Sequence, residues 1–92
     1  MVTDVPEQNR YEAVLDGKRI GLAAYRRTDR SVVFTHTEVD PSAEGHGVGG
    51  ALARAALDDV RARGLSAVPL CPFITGWIEH HPDYADLVGE AG

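Results

Sequence analysis

The sequence predicts an α/β fold of the α+β type: a mixed sheet with an antiparallel three-strand meander, then a parallel strand–helix–strand crossover and a C-terminal helix. Three observations predict it. Short runs rich in β-branched and aromatic residues are separated by tight turns. A glycine-rich segment then leads into a stretch with apolar residues three and four positions apart, which is typical of a helix. A fourth apolar run follows that stretch, and such a unit forms a right-handed parallel crossover.

The meander is predicted from residues 10–15, 19–27 and 31–39. Asp16-Gly17 favours a two-residue hairpin between the first two strands, because both positions tolerate positive φ. The third strand is the clearest, since most of its residues are β-branched or aromatic. It ends before Pro41, because proline cannot donate a hydrogen bond to a neighbouring strand.

The crossover is predicted as a helix over residues 51–63 and a fourth strand over 65–70, with Gly64 ending the helix. A second helix is expected over residues 73–80, with Pro72 in its first turn. Its apolar residues include Trp77, which is expected in the core. The chain is then expected to finish in a short packing segment made by three residues, Tyr84, Leu87 and Val88.

The bulk properties predict one compact domain over residues 1–92, with an ordered core of about 10–88 and frayed ends at 1–9 and 89–92. A net charge of −5 argues against a nucleic-acid partner, and the apolar runs are too short for a membrane span. The start of the chain lacks a signal-peptide pattern and the sequence has one cysteine, so a reducing, cytoplasmic location is expected.

The segment from Gly45 to Gly50 holds four glycines in six residues and opens the first helix, an arrangement that favours phosphate binding by free backbone N–H groups. A P-loop is excluded, because the residues after Gly50 are alanine and leucine. The dinucleotide pattern G-x-G-x-x-G is present, but it lacks the acid expected about 20 residues later. Glycines that serve only a tight turn remain an alternative.

The stretch from Thr37 to Gly50 resembles the acetyl-coenzyme A signature of GNAT-superfamily N-acetyltransferases, Arg/Gln-x-x-Gly-x-Gly/Ala after a strand that ends in Val-x-Pro. Together with Cys71-Pro72-Phe73 and His81-Pro82-Asp83-Tyr84, it makes the chain similar to a compact subgroup of that superfamily. The resemblance extends from Tyr11 to Val88 and implies a GNAT-like fold with acetyl-CoA or CoA as cofactor.

By this resemblance, the backbone N–H groups of the glycine segment would hold the pyrophosphate, and the end of the third strand would bond the pantetheine arm. The implied cofactor-binding residues are Val39, Glu44, Gly45, His46, Gly47, Val48, Gly49 and Gly50. Glu44 departs from the family's Arg/Gln position, and no Lys or Arg occurs between Arg30 and Arg54. Binding is therefore expected to depend on backbone amides and the helix dipole, with His46 the only nearby group that could add positive charge.

Cys71, Glu38 and His36 are the predicted catalytic residues, and Cys71 is the most informative of them. Many members of the superfamily use a tyrosine as the acid, seven residues after an asparagine; here those two positions hold Cys71 and Ile78. Cys71 is expected at a helix N-terminus, which favours the thiolate, so it could accept the acetyl group and pass it on. A small buried residue at a strand end is the alternative. Tyr84 or His81 could replace the missing acid.

His36 and Glu38 are two residues apart on one strand and therefore share a face. They could act as a general base and its orienting partner, or be a polar pair on the surface. His80 is expected in solvent, and His81 is expected to pack or to cap the turn before Pro82. The histidines and Cys71 match no metal-ligand spacing, so no metal is expected.

The resulting hypothesis is an acetyltransferase that acts on an unknown amine, either a small molecule or a protein. The alternative is a CoA-binding module without turnover. The chain lacks the helices that in the superfamily usually follow the first strand and build the acceptor side. An open acceptor side suits a bulky substrate such as a protein terminus or a lysine.

Overall fold

The computed structural model describes residues 1–89 and confirms the predicted α+β class with one mixed sheet. Two α-helices and three short 3-10 turns accompany five strands. The strands are β1 (Val2–Val5), β2 (Arg10–Leu15), β3 (Lys18–Arg27), β4 (Ser31–Val39) and β5 (Ser66–Pro69), and the helices are α1 (Val48–Ala62) and α2 (Pro72–Glu79). The 3-10 turns span Pro6–Gln8, Pro41–Ala43 and Pro82–Leu87.

The strands follow one another across the sheet in the order β1-β2-β3-β4-β5, antiparallel from β1 to β4 and parallel between β4 and β5. The antiparallel meander therefore has four strands. The expectation that residues 1–9 are frayed is wrong, because β1 pairs along β2 from Val2↔Ala13 to Val5↔Arg10. At the other end of the chain, residues 90–92 of the predicted frayed segment lie outside the described residues.

Two buried tyrosines anchor β1 and α1 to the sheet. The hydroxyl of Tyr25 donates to Asp4 of β1 at 2.5 Å, and that of Tyr11 donates to Asp59 of α1 at 2.7 Å. Arg63 joins the two carboxylates, donating to Asp59 at 2.9 Å and to Asp4 at 3.3 Å. Burial, reinforced by these hydrogen bonds, raises the pKa of both phenols. Four residues of β1 are too few for an alternating pattern, and this network holds the strand in place.

A β-bulge in β4 changes which residues face the helices. Ala24 of β3 pairs with His36 and Tyr25 pairs with Phe34, so Thr35 is the extra residue. Before the bulge, Phe34 is fully buried in the core beneath the helices. After it, Thr37 is the residue that faces them. His36 therefore points to the other face of the sheet.

The core lies between the sheet and α1. The predicted apolar stripe of α1 is confirmed, since all five residues have no exposed surface: Leu52, Ala53, Ala56, Leu57 and Val60. The helix starts at Val48 rather than at residue 51, because Gly47 adopts a left-handed conformation and acts as the N-cap. Gly64 ends the helix with φ +70°.

The bounds of the elements after α1 lie close to the predicted ones. The fourth predicted strand is shorter than residues 65–70, and the second helix begins at Pro72 and ends at Glu79. Tyr84 and Leu87 are buried as expected, whereas Val88 is 46% exposed and only its backbone pairs, with Ala67. Within residues 1–89, no helix has the length and apolar content that a membrane crossing requires.

Candidate functional site

The glycine loop presents unpaired backbone donors at the start of α1. The first hydrogen bond of the helix runs from Ala51 N–H to Gly47 C=O at 3.0 Å. The N–H groups of Val48, Gly49 and Gly50 therefore have no partner within the helix, and no side chain caps this end. Gly47 has φ +75°, a conformation that favours glycine. Free donors and the helix dipole together favour an anion at this position.

A groove of about 340 Å³ lies over the loop. Seven of the eight predicted cofactor residues line it, together with two residues that the sequence did not indicate: Val39, Ala43, Glu44, Gly45, Gly47, Val48, Gly49, Gly50 and Phe73. His46, the eighth, lines a separate apolar groove on the side of β1 and β2. The structure therefore brings the predicted loop residues together at one surface but turns His46 away from it.

Phe73 of α2 packs directly on the first turn of α1. A Cβ atom added to Gly49 would lie 2.6 Å from the Cζ atom of Phe73, closer than real Cβ contacts allow. A larger residue at position 49 would therefore require the Phe73 ring to shift, independently of any ligand. Phe73 is 42% exposed despite this contact, so part of its ring remains available at the rim of the groove.

Strands β4 and β5 separate beside this groove. Their pairing ends at Phe34↔Pro69, and the N–H groups of Leu70 and Cys71 both donate to Phe34 C=O at 3.0 Å. Strand β4 then continues to Val39 without β5 beside it.

The main-chain groups of this part of β4 alternate between β3 and the gap. Asp40 N–H donates to Ile20 C=O of β3 at 2.8 Å. By alternation, the main-chain groups of Val39 and Thr37 point into the gap. An extended ligand chain in the gap could therefore pair with β4 in the manner of a further strand.

Cys71 lies where the two strands part. It is the N-cap of α2, it is 4% exposed, and its Sγ atom lies 3.3 Å from the Oγ1 atom of Thr37. Sequence reasoning missed Thr37, because the bulge at Thr35 reverses the simple alternation along β4. The thiol donates a hydrogen bond to the Thr37 hydroxyl.

The structure brings His36 and Glu38 together but not next to Cys71. Their Nε2 and Oε2 atoms are 3.6 Å apart, and the two side chains are about 61% and 63% exposed. They lie on the face of the sheet away from the helices, whereas Thr37 between them points to Cys71. Their catalytic role stays a prediction.

Tyr84 and His81, the two candidates for the missing acid, make contacts with residues other than Cys71. The hydroxyl of Tyr84 donates to Asp58 at 2.7 Å and accepts from Arg54 at 3.2 Å, and the bond to Asp58 raises its pKa. His81 stacks on Trp77 with the ring centres 3.8 Å apart, and its Nδ1 atom lies 2.7 Å from Trp77 C=O. These contacts link the C-terminal segment to α1 and α2. Trp77 is half-buried, at the edge of the core in which it was predicted.

The charged side chains around the groove over the glycine loop are acidic. No Lys or Arg is among the residues that line it, and Glu44 is exposed at its edge. The carboxylate of Asp40 accepts from the side chain and the backbone of Ser42, at 2.7 and 2.9 Å, and these bonds lower its pKa. Asp40 thus shapes the entry to the loop as a fixed turn-forming carboxylate.

A mixed sheet whose parallel strands separate beside a helix opened by a glycine loop is typical of a class of acyl-group transferases. The family model described as GCN5-related N-acetyl-transferase matches residues 10–87. The chain belongs to this family, which confirms the resemblance drawn from the glycine and Cys-Pro-Phe motifs. Membership supports acyl transfer in general as the chemistry of this fold. The matched range contains both helices and every strand except β1.

Two solved structures are similar to this chain in fold. The solution structure of a GCN5-like protein from Staphylococcus aureus is 21% identical, with a TM-score of 0.73, and the match covers 100% of this chain and 90% of that one. The crystal structure of ribosomal-protein-alanine N-acetyltransferase from Brucella melitensis biovar Abortus 2308 is 19% identical, with a TM-score of 0.63. That match covers 90% of this chain and 62% of the Brucella chain. A search of curated proteins gave no significant match.

Proposed function

We propose that the chain binds acetyl-CoA and transfers the acetyl group to an amine. The observation that carries the proposal is the continuity of three features: the unpaired N–H groups of the loop, the gap between β4 and β5, and Cys71 at the closed end of that gap. This arrangement suits a ligand with a diphosphate at one end, an extended arm, and a thioester at the other.

In this proposal, the backbone of Gly45–Gly50 holds the pyrophosphate and the main chain of β4 at Thr37 and Val39 pairs with the pantetheine arm. Glu44 gives no attraction to the diphosphate, so the first-turn amides of α1 supply most of the binding. His46 lies on the other side of the loop, and its backbone N–H already donates to Ala43 C=O at 3.3 Å.

The acceptor amine approaches from the open face of the sheet. Both helices pack on the opposite face, which leaves His36 and Glu38 exposed beside the gap. Glu38 orients His36, and His36 removes the proton that the amine loses as it attacks the carbonyl carbon. An uncovered face accommodates a large acceptor. One structural neighbour is a ribosomal-protein-alanine N-acetyltransferase, so a protein amine is the first acceptor class to test.

Cys71 provides a covalent route. Its sulfur attacks the thioester carbonyl, the bond between that carbon and the CoA sulfur breaks, and CoA leaves as a thiol that takes up the cysteine proton. The acceptor amine then attacks acetyl-Cys71, which forms the amide and restores the thiol.

A CoA-binding module without turnover is the second candidate. The observation that favours it is the burial of two residues: Cys71 is 4% exposed, and Ile78, which replaces the family's tyrosine, is 6% exposed. Neither side chain can meet a substrate without some opening between α2 and β4.

Binding and turnover can be tested separately. Calorimetric titration with CoA tests binding, and Gly47→Glu should abolish it by placing a carboxylate against the diphosphate. Gly17→Glu is the matched control, because Gly17 has a similar φ of +77°, equally open surroundings, and a place in a distant hairpin. Unchanged affinity in Gly47→Glu would refute the site.

For turnover, intact-mass spectrometry after incubation with acetyl-CoA should detect one acetyl adduct, which is lost in Cys71→Ser. Amide formation across a panel of amines and peptides, without an adduct, would instead indicate direct transfer. Binding with neither product would favour the module.

A further inference from the structure

The tyrosine that many members of the family use as the acid is missing from this chain, and few side chains near the gap could replace it. Ile78 holds that position and is 6% exposed. The hydroxyl of Tyr84 donates to Asp58, and His81 stacks on Trp77. An acyl transfer in this gap therefore needs another source for the proton that the leaving sulfur takes up.

Two threonine hydroxyl groups lie close to Cys71, and one of them is committed to main-chain carbonyls. The Oγ1 atom of Thr75 lies 2.9 Å from Pro69 C=O and 3.1 Å from Cys71 C=O, which share its one proton. The Oγ1 atom of Thr37 instead accepts from the Cys71 thiol at 3.3 Å. Within residues 1–89, the Thr37 hydroxyl donates to no carbonyl or carboxylate, so its proton is available to a ligand.

This hydrogen bond gives the thiol proton a direction. A hydroxyl group both accepts and donates, so a chain of hydrogen bonds runs from the Cys71 thiol to the Thr37 oxygen and from the Thr37 hydroxyl proton to a third atom. Thr37 is half-buried, whereas Cys71 is 4% exposed. The hydroxyl is therefore the more accessible member of the pair.

Thr37 also lies at the inner end of the gap. Pairing of β4 with β5 stops at Phe34↔Pro69, and Thr37 is the first residue beyond the bulge whose main chain faces the gap. A pantetheine arm that pairs with Val39 and then with Thr37 would end beside this residue. The sulfur at the end of the arm would therefore come close to both members of the hydrogen-bonded pair.

We propose that Thr37 is a further catalytic residue, which passes the thiol proton of Cys71 to the sulfur atom of the leaving CoA. As the Cys71 sulfur bonds to the thioester carbon and the bond from that carbon to the CoA sulfur breaks, Thr37 gives its hydroxyl proton to the CoA sulfur and takes the proton of the thiol. Thr37 is neutral before and after the step, and CoA leaves as a thiol. This inference rests on the proposed function and on its covalent route.

The test varies how much the leaving sulfur needs a proton. Acetyl-CoA is compared with the acetyl thioester of para-nitrothiophenol, because that aryl thiol leaves readily as a thiolate. In Thr37→Val, formation of acetyl-Cys71 should slow by about tenfold with acetyl-CoA. With the aryl thioester it should slow by no more than about threefold, the part that orientation of the thiol contributes. Time-resolved intact-mass spectrometry measures both rates, and Cys71→Ala gives the acetylation of other residues.

Two control variants accompany Thr37→Val. Thr37→Ser keeps the hydroxyl group and should retain the rate with acetyl-CoA to within about threefold. Thr35→Val makes the same change on the same strand, where the hydroxyl contacts Ala24 C=O at 3.4 Å instead of the cysteine. It should leave the rates with both donors unchanged.

The hydrogen bond can also be observed without any acetyl donor. The chain has one cysteine, so the S–H stretching band in the infrared spectrum reports Cys71 alone. This band should move to higher wavenumber in Thr37→Val and stay in place in Thr35→Val. Calorimetry should give the same affinity for CoA to within about twofold in both variants, because the proposed arm pairs with the backbone of Thr37.

Equal slowing with both donors would show that the hydroxyl only orients the thiol, and an unshifted S–H band would show that the thiol does not donate to Thr37. Either result would overturn the inference. If the unaltered chain binds CoA but forms no acetyl-Cys71 with either donor, the covalent route and this inference fail together while cofactor binding stands. Failure to bind CoA would instead refute the proposed function itself.

Discussion

The thiol of Cys71 lies 3.3 Å from the hydroxyl of Thr37, at the point where β4 and β5 part. This contact joins the N-terminus of α2 to the strand that would carry the pantetheine arm. It also places the one cysteine of the chain at the closed end of the gap rather than on the surface. Substitutions at and around this pair can test whether Cys71 acts as a nucleophile or the chain only binds CoA.

Thr37→Val keeps the shape of the side chain and removes its hydroxyl group. If Cys71 is the nucleophile, its sulfur loses the hydroxyl group that lies 3.3 Å away and orients it, and formation of the acetyl adduct should slow by about tenfold. The free energy of unfolding should change by less than about 1 kcal/mol. Time-resolved intact-mass spectrometry and urea denaturation measure the two effects.

Thr35→Val is the matched control for Thr37→Val. Thr35 is exposed at the bulge, and its hydroxyl contacts Ala24 C=O at 3.4 Å rather than the cysteine. Acetylation at the same rate in both variants would show that the Thr37 hydroxyl does not support the thiol.

Glu44→Gln removes a carboxylate from the rim of the diphosphate groove. CoA should bind about two- to fivefold more tightly at low ionic strength, since an exposed charge acts through solvent. Glu44→Arg should tighten binding further and make it depend on salt, whereas the unaltered chain should depend on salt only weakly. Calorimetry at two salt concentrations measures this. Weaker binding in Glu44→Gln would mean that the carboxylate contacts the cofactor favourably.

Gly49→Ala tests the packing of α2 on α1. The new methyl group would lie 2.6 Å from the Phe73 ring, and we expect a loss of about 1–3 kcal/mol in the free energy of unfolding. Gly50→Ala is the control, because its methyl group would lie 3.5 Å from Trp77, an ordinary contact. Adding Phe73→Leu to Gly49→Ala should recover part of the loss. Equal stability of the two alanine variants would contradict this packing.

Tyr11 and Tyr25, two of the three buried tyrosines, predict a loss of stability in alkali. Their phenols have a pKa raised above the ordinary value of about 10, so the folded chain keeps protons that the unfolded chain releases. Their contribution is fully present below about pH 10, and the free energy of unfolding should fall above it by about 1.4 kcal/mol per pH unit for each tyrosine.

Single tyrosine-to-phenylalanine substitutions show how much each tyrosine contributes to the loss of stability in alkali. Tyr11→Phe should remove one tyrosine's share of the alkaline slope and cost about 1–2 kcal/mol at neutral pH through the lost bond to Asp59. Urea denaturation at pH 8 to 11 measures both quantities. An unchanged slope in Tyr11→Phe and in Tyr25→Phe would show that other groups cause the alkaline loss.

Local pattern was sufficient where each residue's environment follows from its neighbours in sequence. Strands β2 and β4 have the predicted bounds, because turns and a proline delimit them. The glycine loop and the apolar stripe of α1 were likewise predicted from the spacing of glycines and of apolar residues. Strand β1 was not, since four residues hold their place through Asp4 and its contacts with Tyr25 and Arg63, which are distant in sequence.

The sequence by itself determined the class of fold, the glycine-rich start of α1 and the lack of basic residues in that segment. Only the tertiary structure decided which residues meet. On β4 without a bulge, His36 and Glu38 would face the helices with Phe34; the extra residue at Thr35 puts Thr37 there instead, against Cys71. The physical reason is that side chains alternate with a period of two, so one unpaired residue exchanges the two faces. Pairing with β3 sets the position of that residue, and no local propensity encodes it.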